Sequence, residues 1–104
     1  FDSVDALVTP TTPAPAAHIA QLDGVSTLSL LRKAGVTSSY TAAWNLLGNP
    51  AAAVPAGFSG DGLPLSIQVI GGPGREDLVL ELCAQLEAAR PWADQRPPAI
   101  RNFA

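Results

Sequence analysis

The stretch that decides the fold runs Asn45-Leu46-Leu47-Gly48-Asn49-Pro50-Ala51-Ala52-Ala53-Val54-Pro55-Ala56-Gly57, turns through Phe58–Gly62, and returns as Leu63-Pro64-Leu65-Ser66-Ile67-Gln68-Val69-Ile70-Gly71. Ala51–Ala56 is a small apolar run, and Leu65–Ile70 is a second run rich in β-branched residues, so both read as strands. Gly57-Phe58-Ser59-Gly60-Asp61-Gly62 between them carries turn chemistry, because Gly60 and Gly62 permit positive φ. The pair is predicted to be an antiparallel hairpin. Pro55 and Pro64 cannot donate ladder hydrogen bonds, which restricts where each can sit in the sheet.

Upstream, Tyr40, Ala43, Trp44 and Leu47 recur at i, i+3, i+4 and i+7. That spacing predicts one helix over Ser38–Leu47, capped by Thr37 or Ser38, stopped by Gly48 and Pro50, with the stripe packed in the core. A shorter helix is predicted over 26–34 with Gly35 as a left-handed cap. Ala6–Thr9 reads as a strand stopped by Pro10, and Pro10, Pro13 and Pro15 predict an extended segment through Ala17. Downstream, Glu76–Arg90 places Val79, Leu82, Cys83, Leu86 and Ala89 on one helical face. Acidic residues sit at its positive N-terminus, Arg90 sits at the other end, and Pro91 stops it. This face directs Cys83 inward. Residues 91–104 are predicted to be an irregular tail.

Composition narrows the function classes. The chain has 104 residues, enough for one domain near the lower limit for a stable core. It is 47% hydrophobic and only 14% charged, low for so small a domain, so apolar surface is expected to meet another protein segment, by self-association if nothing else. A net charge of −3 with scattered basic residues argues against nucleic acid. One Cys and one His cannot form a disulfide or a structural zinc site; this fits a reducing, cytoplasmic setting. No run reaches the roughly 18 apolar residues of a membrane span. A start at Phe1, no methionine and no basic-then-apolar leader predict a portion of a longer polypeptide.

Three motifs suggest chemistry and each fails on a stated requirement. Ser59 in Gly57-Phe58-Ser59-Gly60-Asp61 lacks the second glycine of a nucleophile elbow, and a strand follows it, so it reads as a hairpin tip. Ser38-Ser39 lacks a Gly-rich setting and a nearby base, since Lys33 is the only lysine and sits beside Arg32; helix capping is the simpler role. Gly71-Gly72-Pro73-Gly74 joins a strand to a helix, but Pro73 removes an amide that a phosphate loop would use, leaving a tight turn.

Taken in order, Asp5-Ala6-Leu7-Val8-Thr9-Pro10-Thr11, Asn45-x-x-Gly48-x-Pro50-Ala51, Val54-Pro55-x-Gly57, Gly62-Leu63-Pro64 and Gln68-x-x-Gly71 resemble the C-terminal part of the amidase signature enzymes. The resemblance covers nearly the whole chain. It implies an α/β fold: the C-terminal part of an α/β/α sandwich around a mixed sheet, including the hairpin at about 51–70 and the helix at about 76–90. It also implies hydrolysis of carboxamides to carboxylate plus ammonia or amine, by a serine, a second serine on a cis peptide and a lysine. None of those three maps onto these residues, so the isolated chain is expected to be inactive, with the remainder of the amidase polypeptide as its partner. The small-molecule amide would bind only with that remainder.

The resemblance carries over a pocket wall at Ser38 and Ala42. Asn45, Gly48, Pro50, Gly57, Gln68 and Gly71 would be structural, with Asn45 tying down the helix end, and Thr11 and Thr12 would lie near the pocket mouth. Helical spacing would put 38, 42 and 45 on one face. No metal or organic cofactor is implied. In the glutamine-dependent tRNA amidotransferases, the amidase-type component has an aspartate where this chain has Ser38, which favours a stand-alone amidase here. The alternative is a non-catalytic binding or assembly module derived from one.

Overall fold

A computed structural model describes residues 1–95, and the hairpin is its centre. We number the strands β1 (Ala6–Pro10), β2 (Ala51–Phe58) and β3 (Pro64–Gly71). The helices are α1 (Thr27–Thr37), α2 (Ala42–Leu47) and α3 (Glu76–Ala89), with a single 3-10 turn at Ile19–Leu22. β3 lies between β1 and β2 and pairs antiparallel with both. The hairpin tip closes as Ser59 N donates to Leu63 O (2.8 Å) and Gly62 N to Ser59 O (2.9 Å). Of the two tip glycines only Gly62 has positive φ, 77°. Pro55 sits on the edge strand, where the register shifts between Pro55 and Gly57, and Pro64 opens β3; both are places where a missing N–H is tolerated.

β3 is central and therefore the most buried strand. Val69 and Ile70 are fully buried, and with Val54 and Val79 they form the apolar core among the described residues. Successive residues of a strand face opposite sides. α3 covers the side that Gly71 and Val69 share: a Cβ on Gly71 would lie 2.9 Å from Val79 Cγ2, 3.1 Å from Arg75 O and 3.4 Å from Pro50 Cγ. The glycine is what lets α3 approach the sheet so closely. The other side carries Ile70 and Gln68, paired in register with Leu7 and Thr9.

The helices before the hairpin differ from their predicted bounds. α1 does not stop at Gly35 but continues to Thr37, with Ser26 as N-cap accepting from Ser29 N. Gly35 is not left-handed; a helix interior accepts glycine at about 1 kcal/mol. The expected single helix over Ser38–Leu47 is a turn followed by a shorter helix. Ser38 ends α1, Thr41 N and Ala42 N both donate to Ser38 O (3.0 and 2.9 Å), and α2 begins at Ala42 with Thr41 as N-cap. Short hydroxyl side chains compete with the backbone for such bonds, and Thr41 Oγ1 also donates to Ser38 O at 3.2 Å. The Tyr40–Leu47 stripe is not core: Leu47 is 68% exposed, Tyr40 is exposed, and only Trp44 is half-buried.

α3 has the predicted bounds to within a residue, with Arg90 as C-cap, Val79 buried, and Leu82 and Cys83 half-buried. Leu86 and Ala89 are exposed, so only the first half of the predicted stripe is covered. The segment after Pro10 forms bends on the surface rather than a regular strand. Of the tail, Gln95 N donates to Trp92 O at 2.9 Å, and 96–104 lie outside the described residues.

The close approach at Gly71 gives a direct test. Gly71→Ala is expected to destabilise the fold by about 1–3 kcal/mol through overpacking. Gly60→Ala, whose Cβ meets nothing within 4 Å, should leave it within about 0.5 kcal/mol. Urea denaturation followed by tryptophan fluorescence distinguishes the two.

Candidate functional site

Two features lie around the α2–β2 junction. The first is an open depression of about 500 Å³ between the end of α2, the start of β2 and the start of α3, bordered by Trp44, Asn45, Pro50, Ala52, Glu76 and Val79. Its floor is built by backbone termination. Gly48, in the left-handed conformation at φ 71°, caps α2 by donating its N–H to Trp44 O. Asn49 Nδ2 then donates to Gly71 O (2.8 Å), and Gly71 N donates to Pro50 O (2.9 Å). The side chain that ties the helix end to the sheet is therefore Asn49; Asn45, expected in that role, is exposed on the depression's rim.

The second feature is the buried carboxamide of Gln68, 3% exposed and the one buried polar side chain among the described residues. Its Nε2 donates to Tyr40 O (2.6 Å) and Thr9 Oγ1 (2.9 Å), with a longer contact to Pro10 O (3.4 Å). Thr9 Oγ1 in turn donates to Pro10 O at 3.0 Å. One amide thus joins the end of β1, the middle of β3 and the turn at Ser38–Thr41, on the sheet side opposite α3.

The two pocket-wall residues expected from the sequence flank that turn. Ser38 ends α1 and Ala42 opens α2; both are exposed, and neither borders the depression. They are brought together by the Ser38 carbonyl, which accepts from Ala42 N, rather than by one continuous helical face. Asn45, Gly48 and Pro50 border the depression, while Gly57 sits at the β2 register shift with φ 110°. Thr11 continues the β1–β3 ladder by donating its N–H to Ser66 O (3.2 Å). Lys33 Nζ donates to Gln21 O at 3.4 Å. Among the described residues, no three His, Cys, Asp or Glu side chains group as metal ligands, and no helix is long and apolar enough to cross a membrane.

Two titrating groups depart from their ordinary values. Asp77 is lowered, first by the Leu78 backbone N–H at the start of α3 and then by Arg75, whose Nε lies 3.2 Å from Asp77 Oδ1. Cys83 is raised by desolvation against the sheet side of α3. Asn49 and the linking role of Gln68 are the site features that spacing arguments miss. The available signal is one long polar side chain inside Leu65-Ser66-Ile67-Gln68-Val69-Ile70, where burial demands partners.

The amidase family profile matches residues 1–80, more than three quarters of the sequence. The chain belongs to the amidase family. It is 47% identical over 100 residues to the Mycobacterium tuberculosis protein named "Putative amidase AmiB2", covering 93% of this chain and 21% of that protein. It is 44% identical over 62 residues to the 6-aminohexanoate-cyclic-dimer hydrolase of Paenarthrobacter ureafaciens, covering 60% of this chain and 13% of that one. A solved structure of a 6-aminohexanoate cyclic dimer hydrolase superposes with a TM-score of 0.83 at 33% identity, over 92% of this chain and 21% of the other. The amidase-type component of the Thermotoga maritima glutamyl-tRNA(Gln) amidotransferase superposes with a TM-score of 0.72 at 32% identity, over 88% of this chain and 19% of that one. This amidase chain therefore spans about a fifth of the length of the curated relatives it matches over most of its own length.

Two measurements check the local chemistry. Asn49→Ala should cost about 1–3 kcal/mol, because it leaves the Gly71 carbonyl without its side-chain partner. For Cys83 the sign is fixed by burial: the fold favours the neutral thiol, so any stabilisation is present below the ordinary thiol value near 9.0 and is lost as pH rises through the raised folded value. Iodoacetamide alkylation at pH 8 is expected to be slower on the folded chain than on the chain unfolded in urea, since the thiolate is the nucleophile.

Proposed function

We propose that this chain forms the C-terminal wall of the substrate pocket of a carboxamide hydrolase acting in the cytoplasm on small alkyl or aryl amides. The observation that carries this reading is the superposition, over nearly the whole chain, on a hydrolase of an amide-linked compound. The remainder of the amidase polypeptide supplies the two serines and the lysine. One serine oxygen attacks the amide carbonyl, the C–N bond breaks, and the nitrogen leaves as ammonia or amine after protonation through the second serine. Water then hydrolyses the acyl-serine to carboxylate, with the lysine as base. Backbone amides near the nucleophile bind the oxyanion.

In this arrangement Ser38 and Ala42 line the acyl pocket, and their small side chains leave room for substrate. The exposed apolar residues Leu28, Leu31, Leu46 and Leu47 on α1 and α2 face the remainder of the polypeptide, which removes them from water. The tRNA amidotransferase component superposes too, with the lower TM-score. Ser38 lacks the carboxylate that the resemblance associates with that reaction.

The test is amide turnover by the full-length polypeptide, read as released ammonia or amine. Hydrolysis of neutral alkyl or aryl amides is expected, with none from the 104-residue chain alone. Failure of the full-length protein on every neutral amide, with turnover of glutamine instead, would reverse the assignment in favour of an amidotransferase component. Within the hydrolase, Ser38→Asp should lower KM for amides carrying an ammonium group relative to neutral isosteres, by about tenfold if the new carboxylate pairs with it.

A further inference from the structure

We infer that Gln68 is a positioning residue for the acyl pocket, because its buried carboxamide fixes the Ser38–Thr41 turn and so sets which acyl groups the pocket admits. This inference rests on the pocket-wall reading of Ser38 and Ala42 given above.

Three observations carry it. The first is reach: Nε2 meets acceptors 28 residues away at Tyr40 O and 59 residues away at Thr9 Oγ1, so one side chain crosslinks segments that no local bond joins. Both N–H groups are used in the short contacts. Their acceptors are oriented for them, since Tyr40 presents a carbonyl and the Thr9 hydroxyl spends its own proton on Pro10 O.

The second is how little else holds the turn over the sheet. α1 and α2 pack only lightly on the strands, whereas α3 packs firmly on β2 and β3. The remaining bonds of the turn are local, from Ser39 N to Val36 O and from Thr41 N and Ala42 N to Ser38 O. They define its shape but not its position.

The third is the residue type. Gln68 sits between Ile67 and Val69 in a strand whose burial alone would be served by an aliphatic side chain. A buried amide costs about 1–3 kcal/mol unless its hydrogen bonds are made. A glutamine here is explained by the bonds it makes, and the shortest of these goes to the pocket turn. A shift of about 1 Å in that turn would move Ser38 and Ala42 together, enough to change discrimination between acyl groups that differ by a methylene.

The experiment uses the full-length polypeptide, a panel of amides of one amine with acyl groups from acetyl to hexanoyl, and the variants Gln68→Leu and Gln68→Asn. Leucine removes the link; asparagine keeps the amide but is one methylene too short to span both acceptors. The expected result is a change of about tenfold in the hexanoyl-to-acetyl ratio of kcat/KM, carried by KM, with kcat on the best substrate retained within about threefold.

Hydrogen exchange should quicken in peptides covering 38–45 and stay unchanged in those covering 76–89. An unchanged acyl ratio in a folded variant, or an equal fall in kcat on every substrate, overturns the inference. If both Gln68 variants fail to fold, Thr9→Val serves: it deletes one acceptor, and it must shift the same ratio in the same direction. A wild-type polypeptide inert on the whole panel overturns the hydrolase reading and the pocket role with it, while the exchange data still report whether Gln68 holds the turn.

Discussion

The carboxamide of Gln68 is the contact on which the arrangement of this chain depends. A three-stranded sheet with one covering helix defines only one buried side; the core residues Val54, Val69 and Val79 belong to the α3 layer. The opposite side has no comparable apolar seam among the described residues. There, directional hydrogen bonds from one 3%-exposed side chain hold Tyr40, Thr9 and the strand end in register. Apolar contact is tolerant of sliding, whereas a donor between two fixed acceptors is not. The sheet side with the weaker core is therefore the side with the sharper geometry, and the pocket-wall residues lie on that side.

The fold divides cleanly into what local pattern dictates and what it does not. The hairpin and α3 are legible because each is punctuated at both ends: Gly60–Gly62 and Pro64 for the hairpin, Gly74 and Pro91 for the helix. The family itself is legible from five short motifs in order. The segment from Ser26 to Leu47 defeats such reading for a physical reason. Gly35 carries a helix-stop signal that α1 overrides, and Ser38, Ser39 and Thr41 permit a helical i, i+3, i+4 pattern while their hydroxyls favour a turn. The apolar spacing of Tyr40, Ala43, Trp44 and Leu47 is real, but spacing identifies an amphipathic face without identifying what covers it.

The site is legible by position and not by mechanism of support. Sequence motifs point to Asn45, Gly48 and Pro50, and the depression at the end of α2 is bordered by all three. The bond that closes that corner comes instead from Asn49, which donates to Gly71 O. Motif reading favours the residue inside the repeated signature, whereas the geometry at a left-handed cap favours the residue just after the glycine, whose side chain leaves the helix axis and turns back to the sheet. No pattern of spacing distinguishes Asn45 from Asn49; only the direction imposed by Gly48 at φ 71° does.

These two amide contacts divide the work between them. Asn49 and Gly71 fix the end of α2 to the α3 side of the sheet, at the point where a glycine permits close approach. Gln68 fixes the beginning of the same short helix, through Tyr40, to the opposite side. A six-residue helix with Leu46 and Leu47 exposed has little packing of its own and too few turns to be stable in isolation. Its orientation is then set by its two ends, each tied to β3 by a side-chain amide donating to a carbonyl. A pocket wall built in this way can vary at its exposed positions, Ser38 and Ala42, without disturbing the bonds that place it, so substrate preference can change while the fold does not.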